Sequence, residues 1–244
     1  MEPDPGVARQ HRTVSRVMRI LELVAGSTEP VRLATLADTL DAPKTSLHGL
    51  AKGLVATGYL RGGAAGYVIG PAVPTLLGAV DSLVTDAARP YLEKLRAAFD
   101  ETVILSAQVG SSVVYIDMVE STQFIRYIAP LRQRRPIYPT STGKCFLAHM
   151  PGAQRDAILG DFVSDPEQLR AVRTELDTAR RDGVAYNRGE TVPDVSAVAS
   201  LVTVPGRNPV AVSMVGPTGR VERRLPEMAV AVRDAAVSIS ERAR

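Results

Sequence analysis

Tryptophan is absent from the 244 residues, and cysteine occurs once, at Cys145. A single cysteine excludes an intrachain disulfide, so the fold has to be held by its core. Three scattered histidines and one thiol cannot supply the paired spacing of a zinc site, and no metal or cofactor is expected. No run of about 18 apolar residues exists, which leaves no candidate membrane span and no membrane partner. The opening MEPDPGVARQHR lacks the apolar core of an export signal, giving the expectation of a cytoplasmic protein. Excess charge of one sign is lacking as well, and a net charge of +3 is weak evidence for a nucleic-acid partner by itself.

The placement of that charge says more than its sum. Residues 8–72 hold eight basic and four acidic side chains, while the remaining charges nearly cancel. A small basic unit beside a larger balanced one fits a DNA reader joined to a sensor, although a few solvated arginines are the blander reading. Within the basic part, Leu33, Leu36, Ala37 and Leu40 recur at helical spacing. Asp41-Ala42-Pro43 then stops the helix, and proline, lacking an amide proton, suits the first turn of the next. That second helix buries Leu47, Leu50 and Leu54 and turns Thr45, His48, Gly49, Lys52 and Ala56 outward, with Lys44 and Ser46 near its start. Such a face, polar or small, suits the major groove of DNA. Gly58-Tyr59-Leu60 ends it, and two extended runs around Gly62-Gly63-Ala64-Ala65-Gly66 form a hairpin. Helix, turn, helix, hairpin is the order of a winged helix-turn-helix.

The run LADTLDAPKTSLHGLAKGLVATGYL, preceded by SRVMRILELVA and followed by YVIGPAV, resembles the DNA-binding domain of the IclR-type transcriptional regulators of bacteria. The resemblance continues in PTSTGKCFLAHMP, similar to that family's effector loop, and in AVSMVGP, similar to its last core strand. It covers nearly all of the chain and implies a multidomain protein: a mainly α winged helix-turn-helix, then an α+β, GAF-like domain that binds a small effector.

Taken in order, residues 1–12 are expected to be a mobile arm, 13–71 the winged domain, 72–86 a junction helix and 87–244 the effector domain. A first helix from Thr13 or Ser15 carries Val17, Ile20, Leu21 and Val24 and ends at Gly26. Arg16 and Arg19 near its start, and Arg61 of the hairpin, are expected within reach of DNA. Leu76, Leu77, Val80, Leu83 and Val84 make the junction too apolar to stand alone, which predicts a homodimer, with pairing of dimers left open. The period then changes to that of strands in VILSAQVG, SSVVYIDMV and FIRYI. Helices follow at 143–149, 154–159 and 167–181, strands at 197–204 and 210–215, and a last amphipathic helix at 221–242. An antiparallel sheet covered by helices is the α+β arrangement that results.

Two chemistries compete for Ser141-Thr142-Gly143-Lys144. Ser-x-x-Lys is the pattern in which a lysine activates a serine nucleophile, which allows an acyl-transfer enzyme using Ser141 and Lys144. The preferred reading is an anion site on the amides of a helix N-terminus, against the plainer one in which Ser141 and Thr142 only cap that helix. A winged helix used for protein docking is a third possibility. Carried over by position from the resemblance, the effector pocket wall is Ser141, Thr142, Asn187, Ala197 and Ser213. Asn187 stands where an aspartate is common, Ala197 where a cysteine occurs and Val215 where a second serine occurs, so a less polar ligand is expected. Gly49 replaces a frequent arginine, which leaves base readout to Lys44, Thr45, Ser46, His48 and Lys52. Arg132, Arg134 and Arg135 either attract an anion or form a solvated loop.

Overall fold

The computed structural model describes residues 11–63, 65–73 and 82–244. The chain divides into two compact units, Met1–Val80 and Asp81–Arg244. The first ten residues of the expected arm and positions 74–81 of the expected junction helix lie outside the described residues.

The first unit contains α1 (Arg12–Ala25), α2 (Leu33–Leu40) and α3 (Lys44–Ala56). Helix α1 starts at Arg12, earlier than Thr13 or Ser15, and its N-cap His11 makes no side-chain cap bond. Ile20 and Val24 of α1, Leu36 and Ala37 of α2, and Leu47 and Leu54 of α3 meet in one core with Leu60 and Val31. A fully buried leucine or isoleucine contributes about 1.5–3 kcal/mol, so these contacts, and not helix propensity, hold an eight-residue α2 in place. Asp41 turns the chain out of α2 in the left-handed region (φ 43°), and Pro43 precedes α3 directly. The wing pairs β1 (Leu60–Gly63) with β2 (Gly66–Ile69), antiparallel. Val31 adds a bridge to Tyr67, each donating its N–H to the other's carbonyl at 2.9 Å. Gly66 has φ 136° and a Cβ there would come 2.7 Å from the Val31 carbonyl oxygen, so only glycine lets the wing close on that bridge.

The second unit is built on six antiparallel strands: β3 (Thr102–Val109), β4 (Ser112–Val119), β5 (Arg134–Pro136), β6 (Ala185–Arg188), β7 (Val195–Val202) and β8 (Val210–Pro217). Their order across the sheet is β5-β4-β3-β8-β7-β6. Helices α4 (Ser82–Phe99) and α8 (Thr218–Arg242) pack on one face through Leu92, Leu95, Leu225, Met228, Val232 and Ile239. Helices α5 (Ser141–His149), α6 (Gly152–Leu159) and α7 (Pro166–Asp182) belong to the other, through Phe146, Leu147, Leu159 and Leu176. Strand alternation divides side chains by size between the two faces. The α4/α8 face receives Val198, Val210, Val212 and Met214, the α5 face Ala197, Ala199, Ala211 and Ser213. Small side chains on one face leave room there.

Several boundaries depart from the sequence expectation. Residues 124–128, FIRYI, are a loop. Their alternation looked like a strand, but side chains claim the backbone: Arg220 donates to the Ile125 carbonyl at 2.9 Å and Thr102 to the Tyr127 carbonyl at 2.8 Å. Phe124 and Ile125 consequently face solvent. The β5 and β6 strands, three and four residues long, were too short to show a period. Helix α4 (Ser82–Phe99) runs across the expected boundary between junction and effector domain at 86/87, and Val84 is buried in the second unit's own core, so it is not part of an exposed junction stripe.

Candidate functional site

In the first unit, the burial pattern of α3 separates two faces. Leu47, Ala51 and Leu54 are buried, whereas Lys44, Thr45, Ser46, His48, Gly49 and Lys52 are exposed. Arg61 on the wing is exposed and Arg16 on α1 is half-buried. Leu50 is only partly buried, packed at the edge of the core. Two cations, two hydroxyls and an imidazole thus lie on the exposed side of α3, with Val55 the large apolar side chain exposed near its C-terminal end. Neither Gly49 nor Gly53 is needed for packing, since a Cβ at either meets nothing within 4 Å.

In the second unit, a small, partly open cavity of about 40 Å³ lies over the small-residue face of the sheet. Ser141, Thr142, Asn187, Ala197 and Ser213 all line it, together with Ile104, Tyr115, Tyr127, Thr140, Val195 and Val215. The first turn of α5 forms its polar end. Thr140 is the N-cap: its hydroxyl accepts from the Gly143 N–H at 3.1 Å and donates to the Ile137 carbonyl at 3.0 Å. The reading in which Ser141 and Thr142 cap the helix is therefore corrected: they occupy its first turn, inside the cap, where N–H groups have no intrahelical acceptor. Thr142 is 2% exposed and its Oγ1 has no hydrogen-bond partner. A buried hydroxyl left unpaired costs about 1–3 kcal/mol, and a ligand oxygen at this position would remove that cost. The helix dipole adds a preference for negative charge at the same place.

Asn187 forms the side wall and is 5% exposed. Its Nδ2 donates to the Pro139 carbonyl and to the Thr191 hydroxyl, both at 2.7 Å. A carbonyl oxygen only accepts, so the amide orientation is forced and Oδ1 is the polar atom left for a ligand. Opposite the polar end, Ile104, Ala197 and Val215 offer an apolar floor with Tyr115. Burial, then the adjoining and hydrogen-bonded Tyr127, pushes the Tyr115 hydroxyl well above its ordinary pKa, so it stays a neutral donor. The guanidinium of Arg135 lies 4.7 Å over the Tyr115 ring, Arg134 donates to the Val109 carbonyl at 3.0 Å, and Arg132 is exposed.

Of the cavity residues, the sequence did not point to Ile104, Tyr115, Tyr127, Thr140 or Val195. Register offers a signal for one: Ile104 sits opposite Ser213 across β3 and β8, so any side chain on that face is a neighbour of the pocket. Tyr127, on an irregular loop, has none.

The acyl-transfer reading fails on Lys144. Its ammonium, 1% exposed, is 2.7 Å from Glu175 Oε1 and 2.6 Å from Glu190 Oε2. With its Nζ committed to these two carboxylates, and no hydrogen bond to the Ser141 hydroxyl among the described residues, this lysine is not placed to activate Ser141. Among the described residues no group of three or more His, Cys, Asp or Glu side chains is placed to hold a metal ion, and no helix is long and apolar enough to cross a membrane.

Comparison with known proteins decides what kind of site this is. Residues 79–241 match the family model described as bacterial transcriptional regulator IclR, C-terminal, and residues 13–62 match the IclR helix-turn-helix domain. The chain belongs to the IclR family. Among curated relatives of this regulator, the HTH-type transcriptional regulator TtgV of Pseudomonas putida is 25% identical over 203 residues, which is 81% of the chain and 78% of TtgV. The probable transcriptional regulator SauR of Cupriavidus necator is 30% identical over 200 residues, 75% and 77% of the two chains. A solved IclR homolog from Microbacterium hydrocarbonoxydans, complexed with 4-hydroxybenzoate, superposes with a TM-score of 0.75 at 22% identity, covering 95% of this chain and 99% of its own. The protein is thus a helix-turn-helix transcriptional regulator with a C-terminal effector domain, and not an enzyme.

Proposed function

We propose that this regulator binds an operator as a homodimer and that a small carboxylic acid, aromatic or otherwise weakly polar, sets its DNA affinity from the cavity in the second unit. The observation that carries the effector half is the unpartnered Thr142 hydroxyl, buried at the N-terminus of α5 on the wall of a cavity that all five expected residues share. A ligand carboxylate there would meet the Ser141 and Thr142 N–H groups and the Thr142 hydroxyl. Its body would lie on Ile104, Ala197 and Val215. Because Asn187 has both amide protons committed, a ligand reaching its Oδ1 would bring a hydroxyl or N–H of its own. A hydroxyaromatic acid has both features, and the benzoate held by the Microbacterium homolog makes that class the first to test.

On the DNA side, Lys44, Thr45, Ser46, His48 and Lys52 read the major groove, and Arg16 and Arg61 hold phosphates. What supports this is the exposed polar face of the first half of α3, with Leu47, Ala51 and Leu54 turned into the core. A dimer would read two half-sites of a palindrome; two such dimers on adjacent sites are compatible with the same surface. Effector control requires unequal affinity of the ligand for the DNA-competent and incompetent dimers.

The test is selection from randomised duplex DNA at two salt concentrations, followed by titration of 4-hydroxybenzoate into the operator complex. A palindrome whose binding weakens with salt and shifts with the benzoate is the expected result. Sequence-independent binding alone, or an operator affinity blind to every hydroxyaromatic acid while other ligand classes move it, would overturn the corresponding half.

A further inference from the structure

Lys144 is the bulkiest side chain to be fully buried, and neither DNA binding nor the carboxylate subsite uses it. Burying an ammonium costs several kcal/mol unless its partners are close and well placed, so an isolated structural role is an expensive way to fill space. Here the ammonium and its two partners lie on three different elements. Lys144 sits in the first turn of α5, the turn whose Ser141 and Thr142 face the cavity. Glu175 belongs to α7, and Glu190 to the connection between β6 and β7. Both Glu190 oxygens approach the Lys144 Nζ, at 2.8 and 2.6 Å, and Oε1 also accepts from the Arg188 N–H at 3.3 Å.

The connection that carries Glu190 is itself cavity wall, since its next two residues, Thr191 and Val192, line the pocket. It enters with Gly189 at φ 76° and leaves with Asp194 at φ 61°. Residues 190–194 are exposed or nearly so and contribute nothing to a hydrophobic core. Among the described residues few contacts hold this flap: the Gly189 N–H on the Val195 carbonyl at 3.0 Å, the Val195 N–H on the Val192 carbonyl at 3.2 Å, the Asp194 carbonyl under the Thr218 N–H at 2.8 Å, the Asn187 side chain on Thr191, and the Lys144 ion pair. Only the last ties it to α5.

We propose that Lys144 is the positioning residue of the effector cavity: through Glu190 it holds the residue 189–194 flap against the first turn of α5, and so fixes how readily a ligand enters and leaves. Glu175 has the different task of fixing the ammonium from α7. The ion pair thereby couples the turn that binds the carboxylate to the flap that covers it. This rests on the cavity being the effector site.

Glu190→Gln keeps the shape and removes the charge, and Glu175→Gln does the same to the partner that is not on the flap. Hydrogen exchange measured by mass spectrometry on the ligand-free full-length protein reads the flap directly. In Glu190→Gln, the hydrogen-bonded amides of Gly189 and Val195 exchange at least about tenfold faster, the factor that corresponds to about 1.4 kcal/mol of lost anchoring. In Glu175→Gln they change by less than half as much on the logarithmic scale, and in both variants the β7–β8 ladder keeps its protection. Flap exchange unchanged in Glu190→Gln, or raised as much in Glu175→Gln, would overturn the proposal, because the cluster would then be a general prop of the core. Since no ligand is present, failure of benzoates to bind counts against the effector assignment alone, and an unresponsive flap against the role of Lys144 alone.

Discussion

Replacing Gly143 by alanine pits two effects of known size against each other. In a helix interior alanine is favoured over glycine by about 1 kcal/mol, so on propensity the variant is more stable. A Cβ at 143, however, would fall on the carbonyl group of Ile137 and within 2.7 Å of the Thr140 hydroxyl. Ile137 is wholly buried and its carbonyl is backbone, so it cannot step aside. The hydroxyl is the cap itself, bonded to both Ile137 and Gly143. Losing an N-cap costs about 1 kcal/mol and overpacking a rigid core about 1–3 kcal/mol. The sum exceeds the propensity gain, and the second unit is expected to lose about 1–3 kcal/mol in urea unfolding followed by far-UV dichroism. Gly53→Ala is the control of opposite sign, as nothing lies within 4 Å of its Cβ and α3 gains up to about 1 kcal/mol. The damage should also be specific to the ligand end, because moving the first turn of α5 displaces Ser141 and Thr142 together. If Gly143→Ala unfolded at the same urea concentration as the parent or a higher one, the tight approach of the residue 137–140 turn to α5 would be wrong, and with it the geometry of the carboxylate subsite.

Three further outcomes follow from other parts of the molecule. Arg220 makes a two-pronged bond to Glu101, which is 4% exposed, at 2.6 and 2.9 Å; Arg220→Met strands that carboxylate and should cost about 2 kcal/mol in urea midpoint terms, the usual penalty discounted because Arg220 is partly solvated. Cys145 is buried and its thiol is pushed up to about 12 from 9.0 chiefly by that burial, so the native protein should resist a thiol-reactive dye at pH 8–9. The folded state holds this proton more tightly than the unfolded one, hence the thiol's contribution is complete below pH 9 and declines as pH rises toward 12; rapid labelling at pH 8 without unfolding would contradict it. Lys44→Ala and Lys52→Ala should each reduce the slope of log affinity against log salt by about 1, measured by fluorescence anisotropy on the selected operator, and a slope unchanged in both would remove α3 from the phosphate contacts.

How much of this was legible depended on whether burial imposed a period. The α2–α3 pair and the last helix were readable because Leu36, Leu47, Leu54, Met228, Val232 and Ile239 recur at the spacing that one buried face demands. The same logic misled at 124–128, where alternation was present but the backbone partners were side chains from Thr102 and Arg220, distant in sequence. Site residues posed a harder problem, since a pocket is defined by what does not fill it. Ala197, Ala199, Ala211 and Ser213 alternate with Val198, Val210, Val212 and Met214, and that asymmetry of size between the faces of two adjacent strands was open to reading, but only for someone who already knew that the strands pair. Lys144 shows where local pattern gives out. In the sequence it follows Ser-Thr-Gly and looks like a solvated or catalytic cation, because its meaning depends on Glu175 and Glu190, 31 and 46 residues away. The effector domain thus takes its shape from short-range periodicity, whereas the responsiveness proposed for it would reside in contacts between the least regular segments: a capped turn, a six-residue flap and one buried charge between them. Those segments contribute least to the hydrophobic core, so a ligand can move them without unfolding the sheet, which is the property a sensor domain requires.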